Sequence, residues 1–188
     1  NWGNSDAEKV EQLKFADGTV AMISDLVAQS DYLTGTSSAD TLRGGIGDDV
    51  YVVDSSGDIV VENSNEGTDT VLSSVSYTLT ANVESLYLFG DISGLNATGN
   101  ELNNSIVGND FANVLDGKAG NDFLDGQTGN DTYLFNRGSG QDTIVDIDAT
   151  AGNTDMLSFG TGIATDQLWF KHVGNDLEVS IIGGADKA

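Results

Sequence analysis

Hydrophobic residues recur at every ninth position along two stretches of the chain, and the positions between them are rich in Gly, Asn and Asp. The repeated apolar positions hold Leu42, Tyr51 and Val60 in the first stretch, and Ile106, Leu115, Leu124 and Tyr133 in the second. Gly, Asn and Asp favour turns because they tolerate positive φ or hydrogen-bond their own backbone. Three residues per unit remain for a short strand whose middle side chain points inward. The pattern predicts an all-β fold, a parallel β-roll (β-solenoid) with two nine-residue units in each coil.

The sixth position of each unit, two residues before the apolar one, carries carboxylates or amides. These residues are Asp40, Asp49 and Asp58 in the first stretch, and Asn104, Asn113, Asp122 and Asp131 in the second. Successive coils stack about 4.8 Å apart, so the carboxylates of stacked turns repel one another. A cation between them reverses the sign of this interaction. Ca²⁺ takes 6–8 oxygen ligands at about 2.3–2.6 Å and fits such a stack, with turn carbonyls completing its shell.

Composition narrows the classes of partner. Asp and Glu number 30 against 7 Lys and Arg, which gives a formal net charge of −23. Nucleic acid and anionic membrane surfaces both need a basic surface, so neither is expected as a partner. The 38% of hydrophobic residues argues against a disordered acidic segment, and the absence of Cys excludes thiolate metal sites and disulfides. No apolar run approaches the roughly 18 residues of a membrane span.

The stretch GGIGDDVYV, residues 44 to 52, resembles the nonapeptide of the RTX, or haemolysin-type calcium-binding, repeat. GKAGNDFLD and GQTGNDTYL, residues 117 to 134, lack only the second glycine of that motif. The resemblance implies a β-roll that binds several Ca²⁺ ions. It also implies an extracellular bacterial protein, exported by type I secretion and folding on exit.

The resemblance further implies which residues hold calcium, because in such rolls turn carbonyls and sixth-position Asp residues from two stacked turns form each site. The implied groups are Gly45, Gly47 and Asp49 with Glu62 and Asp69, Asp40 with Asp58, Gly120 and Asp122 with Asp142, and Gly126 and Asp131 with Asn113. Asn offers only a neutral oxygen, so sites at Asn104 and Asn113 are expected to be weaker or empty. Asp146, Asp148 and Asp155 could hold a further ion near the end of the roll.

The domain organisation follows from where the repeats are strong. The nine-residue frame runs backwards from the second stretch through Ala97, Leu88 and Leu79, but without Asp at the sixth position. We therefore expect a flank with a hairpin and a short helix (1–30), a first repeat run (31–80) and linking coils that bind no calcium (81–98). A second repeat run (99–146) and a C-terminal β flank (147–188) follow.

The flanks predict two hairpins. Residues 9 to 23 form two strands about an ADG turn, with Ser24 as N-cap of a short helix, and LWFKHVGNDLEVSI forms a hairpin with a GND turn. In the order of its flanks the chain resembles a piece cut out of phase from a tandem array. Residues 1 to 25 are therefore expected to pack against the C-terminal strands, in the same chain or a neighbour.

Three functional classes remain open. The first is a calcium-dependent structural or folding module of a large secreted protein such as an adhesin, with neighbouring modules of the parent chain as partners. The second is a module that binds a polysaccharide or a cell surface through calcium. The third is the non-catalytic secretion tail of an extracellular protease, lipase or epimerase. No HExxH or GxSxG motif is present, so no catalytic residue is expected in this chain.

Overall fold

The computed structural model describes residues 12–14, 20–22 and 30–188. In the first two segments, β1 (Gln12–Lys14) and β2 (Val20–Met22) pair antiparallel. This agrees with the two strands predicted for residues 9 to 23. The ADG turn, the helix after Ser24 and the packing of residues 1 to 25 against the C-terminal strands lie outside the described residues.

Residues from 32 onward wind into a two-faced parallel solenoid. One face is a sheet of β3 (Tyr32–Thr34), β5 (Val50–Val53), β7 (Thr70–Ser73), β9 (Ser85–Leu88), β11 (Ser105–Val107), β13 (Phe123–Asp125) and β15 (Thr143–Val145). The other face carries β4 (Thr41–Leu42), β6 (Ile59–Val60), β8 (Tyr77–Thr78), β10 (Asn96–Thr98), β12 (Val114–Asp116), β14 (Thr132–Phe135) and β16 (Met156–Phe159). The chain alternates between the faces, so strands pair in parallel with the strand one coil away, and on the second face β4–β6 and β8 to β16 form two separate sheets. The predicted all-β parallel β-roll is confirmed.

The core is the space between the two faces, filled by one inward side chain from most strands. All seven residues at the predicted apolar position are at least 93% buried, and Ala97, Leu88 and Leu79 join them in one cluster. Alternate residues of the strands point outward, because side chains of a strand alternate between its two sides. Short strands separated by polar turns therefore still build a continuous core along the roll axis.

The number of residues per coil varies in a way that the nine-residue frame did not predict. Strand β3 pairs with β5 at the expected spacing of 18, whereas Val50 pairs with Thr70 and Thr70 with Ser85. As a result Ile106 aligns with Leu86 rather than with Leu88, although both leucines are buried. The repeat frame misses this because residues 70 to 98 lack the glycine-rich turn motif that marks the register.

The C-terminal flank caps the last coil. Strands β17 (Leu168–Val173) and β18 (Asp176–Ile181) form the predicted hairpin, with Gly174 at φ +65° in its turn. The residues after β18 return to the roll, where the Asp142 N–H donates to the Lys187 carbonyl and the Lys187 N–H donates to Gly140, both at 2.8 Å. Among the described residues there is no helix long and apolar enough to cross a membrane.

Candidate metal centre

The residues that immediately precede the strands form two columns along the roll, one at each edge. The first column, which precedes the strands of the seven-stranded face, consists of Asp31, Asp49, Asp69, Glu84, Asn104, Asp122 and Asp142. The second column, on the opposite edge, consists of Asp40, Asp58, Ser76, Leu95, Asn113, Asp131 and Asp155. The first column is therefore acidic at every coil but one.

Carboxylates in the columns bind the backbone of the preceding coil. Asp49 Oδ1 accepts a hydrogen bond from the Asp31 N–H at 2.6 Å, and Asp69 Oδ1 accepts one from the Asp49 N–H at 2.9 Å. Glu84 Oε2 accepts from the Asp69 N–H at 2.8 Å and continues the series. Each of these bonds uses one carboxylate oxygen, so the other oxygen needs a different partner.

Three carboxylates converge where the turn that ends at Asp49 stacks on the turn from Glu62 to Asp69. One oxygen from each of Asp49, Glu62 and Asp69 lies within 4.8 Å of the other two, and all three residues are more than 90% buried. Asp49 Oδ2, Glu62 Oε2 and Asp69 Oδ2 have no hydrogen-bond partner. Oxygens on opposite sides of a Ca²⁺ ion are roughly 5 Å apart, so the cluster has the dimensions of a calcium ligand set. We call Asp49, Glu62 and Asp69 the first centre.

The electrostatics of the first centre favour a cation. Burial, with repulsion from Asp69 adding to it, raises the pKa of Glu62 to about 7. Burial likewise raises the pKa of Asp69 to about 6, with Glu84 and Asp49 adding to the effect, and raises that of Asp49. Three buried carboxylates without a counter-charge are costly, and either protons or a bound cation can relieve that cost.

Two glycine turns have the backbone geometry that the predicted carbonyl ligands require. Gly45 and Gly47 have φ of +93° and +142°, in the region that favours glycine. The Gly47 carbonyl oxygen lies so close to Gly67 in the stacked turn that a Cβ on Gly67 would overlap it. Gly120, with φ of +134°, places its carbonyl against Gly140 in the same way. The ligand roles of Gly45, Gly47 and Gly120 stay predictions.

The second repeat run contains a similar stack in the first column. The Asp122 N–H donates to Asp142 Oδ1 at 3.0 Å, and the buried Asp122 Oδ2 has no hydrogen-bond partner. Burial raises the pKa of Asp122 to about 7 and that of Asp142 to about 6, and each carboxylate is also repelled by Asp116. The structure thus brings the predicted pair together and leaves one oxygen free to bind a cation.

Comparison with known families now supplies an independent test of the repeats. The RTX calcium-binding nonapeptide repeat family matches residues 28–60 and 98–133, in four copies. Residues 28–60 and 98–133 are RTX calcium-binding repeats. The matched segments contain Asp49 of the first centre and Asp122 of the second stack, whereas Glu62 and Asp69 follow the first segment.

Two curated proteins share parts of the RTX sequence. The endo-1,3-1,4-beta-glycanase ExsH of Rhizobium meliloti (strain 1021) is 45% identical over 80 residues, which are 42% of this chain and 17% of that protein. The iron-regulated protein FrpA of Neisseria meningitidis serogroup C is 44% identical over 46 residues, which are 24% of this chain and 4% of that protein. The chain therefore spans less than a fifth of the length of these two relatives.

One predicted RTX pair lacks the buried, unpartnered oxygens of the first centre. Asp40 and Asp58 come together, since the Asp40 N–H donates to Asp58 Oδ1 at 2.9 Å. However, Asp58 Oδ2 accepts from the N–H groups of Asp54 and Ser55, and Asp40 Oδ2 accepts from the N–H and hydroxyl of Thr36. Both oxygens of Asp58 therefore already accept hydrogen bonds, and the Asp40–Asp58 site stays a prediction without the support that the first centre has.

The pair at the second column is also brought together. The Asn113 N–H donates to Asp131 Oδ1 at 2.8 Å, and the carbonyl of Gly126 lies against Gly108 of the preceding coil. Asn113 Oδ1, however, already accepts from the Asn109 N–H at 2.8 Å. Asn113 as a calcium ligand therefore stays a prediction, and its hydrogen bonds disfavour it.

The acidic residues after β15 surround the end of the second column. The Asp131 N–H donates to Asp155 Oδ1 at 2.9 Å, and Asp148 Oδ2 accepts from the Gly129 N–H at 3.1 Å. Repulsion from Asp155, Asp146 and Asp148 adds to burial in raising the pKa of Asp131 to about 6. The structure thus brings these carboxylates close together, and the further ion suggested here stays a prediction.

Sequence reasoning missed two residues near the first centre. Glu84 continues the first column after Asp69, but it follows at a spacing of 15 instead of 18 and lies in a turn without the repeat motif. Tyr51 was predicted as a core residue, and it is fully buried. Its hydroxyl nevertheless reaches the first centre, where it donates to Glu62 Oε1. The only available signal was the tyrosine itself, which recurs at the eighth position of one other strong repeat as Tyr133.

Proposed function

We propose that the chain is a calcium-binding structural and folding module of a larger secreted bacterial RTX protein. The observation that carries this proposal is the first centre, where Asp49, Glu62 and Asp69 each bury an oxygen without a partner. A divalent cation is the simplest group that satisfies all three oxygens at once. The RTX calcium-binding repeats that include Asp49 support calcium as that cation.

The energetics make ion binding part of folding. The chain has a formal net charge of −23, its roll strands are two to four residues long, and its first column stacks six acids. Without calcium, charge repulsion opposes the compact state and each coil buries little apolar surface. The unfolded chain has no preformed site, so the binding free energy of calcium appears as folding free energy.

The same linkage suggests how calcium controls where the module folds. Sites in extracellular modules bind calcium with dissociation constants of about 10⁻⁴–10⁻³ M. We infer that the chain stays unfolded in calcium-poor cytoplasm, leaves the cell by type I secretion and folds outside. Its partners there are calcium and neighbouring modules of the parent protein, and any catalysis belongs to other parts of that parent.

Circular dichroism and calorimetric titration test this proposal. We expect metal-free protein at pH 7.5 to lose most of its β-signal and to regain it on titration with millimolar Ca²⁺. Mg²⁺ at the same ionic strength is the control, since it prefers a compact octahedral shell and keeps its waters. Identical spectra in chelator and in calcium, with no heat of binding, would remove the proposal.

A second candidate function is binding of a polysaccharide, and a groove on the outer surface favours it. The groove has a volume of about 420 Å³ and is lined by the aromatic rings of Tyr87, Phe89 and Phe111 together with Asp91 and Gln127. Tyr87 and Phe89 are about 40% exposed. Aromatic faces beside carboxylate and amide groups suit a sugar ring, and one relative is a glycanase.

Binding to a soluble β-1,3-1,4-glucan tests the second candidate. We expect Tyr87→Ala and Phe89→Ala to weaken binding in calcium, while Tyr32→Ala, which removes an exposed tyrosine outside the groove, leaves it unchanged. Absence of binding by the folded wild-type protein, or equal losses in all three variants, would exclude this groove as a glucan site.

A further inference from the structure

The hydroxyl of Tyr51 connects the two stacked turns of the first centre. It accepts a hydrogen bond from the Gly44 N–H at 2.7 Å and donates one to Glu62 Oε1. Gly44 opens the turn that ends at Asp49, and Glu62 opens the turn that ends at Asp69. The tyrosine ring is fully buried in the core, so the packing of the core around the ring fixes the position of its hydroxyl.

This contact determines which oxygen of Glu62 faces the centre. Oε1 is bound by Tyr51, and Oε2 is the buried oxygen that lacks a partner. A glutamate side chain has several rotatable bonds, and its freedom is lost when it becomes a ligand. A hydrogen bond that holds Glu62 in place before the ion arrives reduces that loss. Groups that hydrogen-bond to a metal-binding carboxylate commonly orient it in this way.

Gly44 is part of the same arrangement. A Cβ at this position would overlap Asp49 Oδ2 and would lie 2.5 Å from the Tyr51 hydroxyl. The first glycine of the turn therefore leaves room for the hydroxyl to meet the backbone and the carboxylate together. A larger residue there would displace the groups that orient Glu62.

A second copy of the arrangement occurs at the end of the roll. The Tyr133 hydroxyl accepts from the Gly126 N–H at 2.9 Å and lies 3.1 Å from Asp146 Oδ2, to which it donates. Asp146 opens the turn stacked on the turn of Gly126, as Glu62 does on that of Gly44. Where Ile106 or Leu115 takes the place of the tyrosine, the turn stacked one coil later opens with glycine instead of an acid. In these four coils the tyrosine hydroxyl is present only where the stacked turn opens with an acid.

We propose that Tyr51 is a positioning residue for calcium binding, which holds Glu62 so that its second oxygen completes a three-carboxylate ligand set with Asp49 and Asp69. The inference rests on the proposed calcium function and adds a residue that touches no ion itself. Its effect on the ion passes through Glu62, whereas its bond to the Gly44 N–H belongs to the folded turn with or without Glu62.

A double-mutant cycle on calcium affinity tests this coupling. Tyr51→Phe removes the hydroxyl and keeps the ring, and we expect it to raise the calcium concentration at the folding midpoint on the order of tenfold. Glu62→Gln keeps an acceptor for Tyr51 and removes the charge. In the Glu62→Gln background the further change Tyr51→Phe should shift the midpoint much less, because only the Gly44 bond and a hydrogen bond to a neutral amide are then lost. All variants are first shown to reach the wild-type β-signal at saturating calcium.

Tyr77→Phe is the matched control, because this buried hydroxyl accepts from the Val60 N–H at 3.3 Å and hydrogen-bonds no carboxylate in the described part of the chain. We expect it to leave the calcium midpoint unchanged. Equal shifts from Tyr51→Phe in both backgrounds would overturn the positioning role, as would an unfolded Tyr51→Phe beside a folded Glu62→Gln. A wild-type protein that ignores calcium would instead overturn the proposed function itself.

Discussion

The turns of the first centre and the asparagine turns at residues 99–104 and 108–113 both stack on the turn one coil away. They differ in the buried side chains between the turns, which are carboxylates in the first centre and amides in the asparagine turns. In the first centre, carboxylate oxygens of Asp49, Glu62 and Asp69 point at one another and have no hydrogen-bond partner. In the asparagine turns, side-chain amides take the corresponding inward places. Comparing the two shows what a turn needs in order to be complete.

Asn100 and Asn104 illustrate the complete state. The Asn100 amide donates to the carbonyls of Thr80 and Val83 at 2.8 and 2.7 Å, and the Asn104 amide donates to Val83 and Glu84 at 3.2 and 3.3 Å. The oxygen of each side chain accepts a backbone N–H of its own turn. The buried polar atoms are thereby satisfied without an ion.

The second asparagine turn repeats this solution. The Asn109 amide donates to the carbonyls of Gly90 and Ile92, and the Asn113 amide donates to Leu95, at 2.9 to 3.0 Å. The partial positive charge of an amide N–H thus occupies the place where we propose a cation in the acidic turns. The roll therefore contains coils whose buried amides are satisfied without an ion, between coils that we propose to depend on calcium.

Hydrogen exchange at limiting calcium should separate the two classes most strongly. At a calcium concentration just sufficient to keep the chain folded at pH 7.5, we expect amides of β5 and β7 to exchange roughly 100-fold faster than those of β11 and β12, because local opening costs least where carboxylates repel. Mass spectrometry of peptides measures the difference. In saturating calcium the gap should close, and uniform exchange at limiting calcium would refute two classes of coil.

Replacing a carboxylate of the first centre should have opposite effects with and without calcium. Asp69→Asn removes one charged ligand, so we expect calcium affinity to fall about 10- to 100-fold in a calorimetric titration. The same change relieves repulsion and should stabilise the metal-free form. Asp58→Asn is the matched control, because both oxygens of Asp58 already accept backbone hydrogen bonds. An equal loss of calcium affinity in Asp58→Asn would restore the predicted Asp40–Asp58 site.

The reverse exchange should damage an asparagine turn. Asn104→Asp replaces an amide donor by an acceptor that faces two carbonyls, so we expect the protein to lose about 1–3 kcal/mol of stability in urea denaturation at one calcium concentration that keeps wild type and variant folded. Asn103→Asp is the matched control, since exposed Asn103 Oδ1 only accepts from the Asn121 N–H and an aspartate preserves that bond. If both variants were equally stable, the amide donors would contribute nothing.

Acid should partly replace calcium in the acidic coils. The folded pKa of Glu62 is raised to about 7 from an ordinary value near 4.5, so the metal-free folded state holds a proton that the unfolded chain has lost between these values. Stability from this group is present below pH 4.5 and is lost as the pH rises through 7. Without metal we therefore expect a larger β-signal in circular dichroism at pH 5.5 than at pH 7.5. Calcium affinity should be lower at pH 5.5, and a metal-free β-signal independent of pH would contradict the raised pKa.

The sequence was sufficient to predict the fold because each repeat contains both a glycine- and aspartate-rich turn and a buried apolar residue at a fixed spacing. Glycine and aspartate mark each turn, and a buried residue such as Leu115 follows at a fixed distance, so class, coil and inward face could all be derived. The resemblance to the repeat also implied the pairing of Asp49 with Asp69, although these residues are 20 apart instead of 18.

The remaining features depend on contacts between coils that no single unit contains. Leu86 takes the place in the register that the frame assigned to Leu88, because the turns before it have a different length. Glu84 was missed for the same reason. The role of Asn104 as a donor follows from the carbonyls above it, which a linear pattern does not show.

The unequal coil lengths have a consequence for how the chain finds its register. Along the first column the spacings are 18, 20 and 15 residues, followed by 20, 18 and 20. In an array of identical units, a strand displaced by one whole coil would meet an equivalent neighbour and could remain there. Here such a slip leaves surplus or missing residues in the next turn, so only one register brings every inward side chain into the core. Chains paired in another register are therefore less stable and return to the native one.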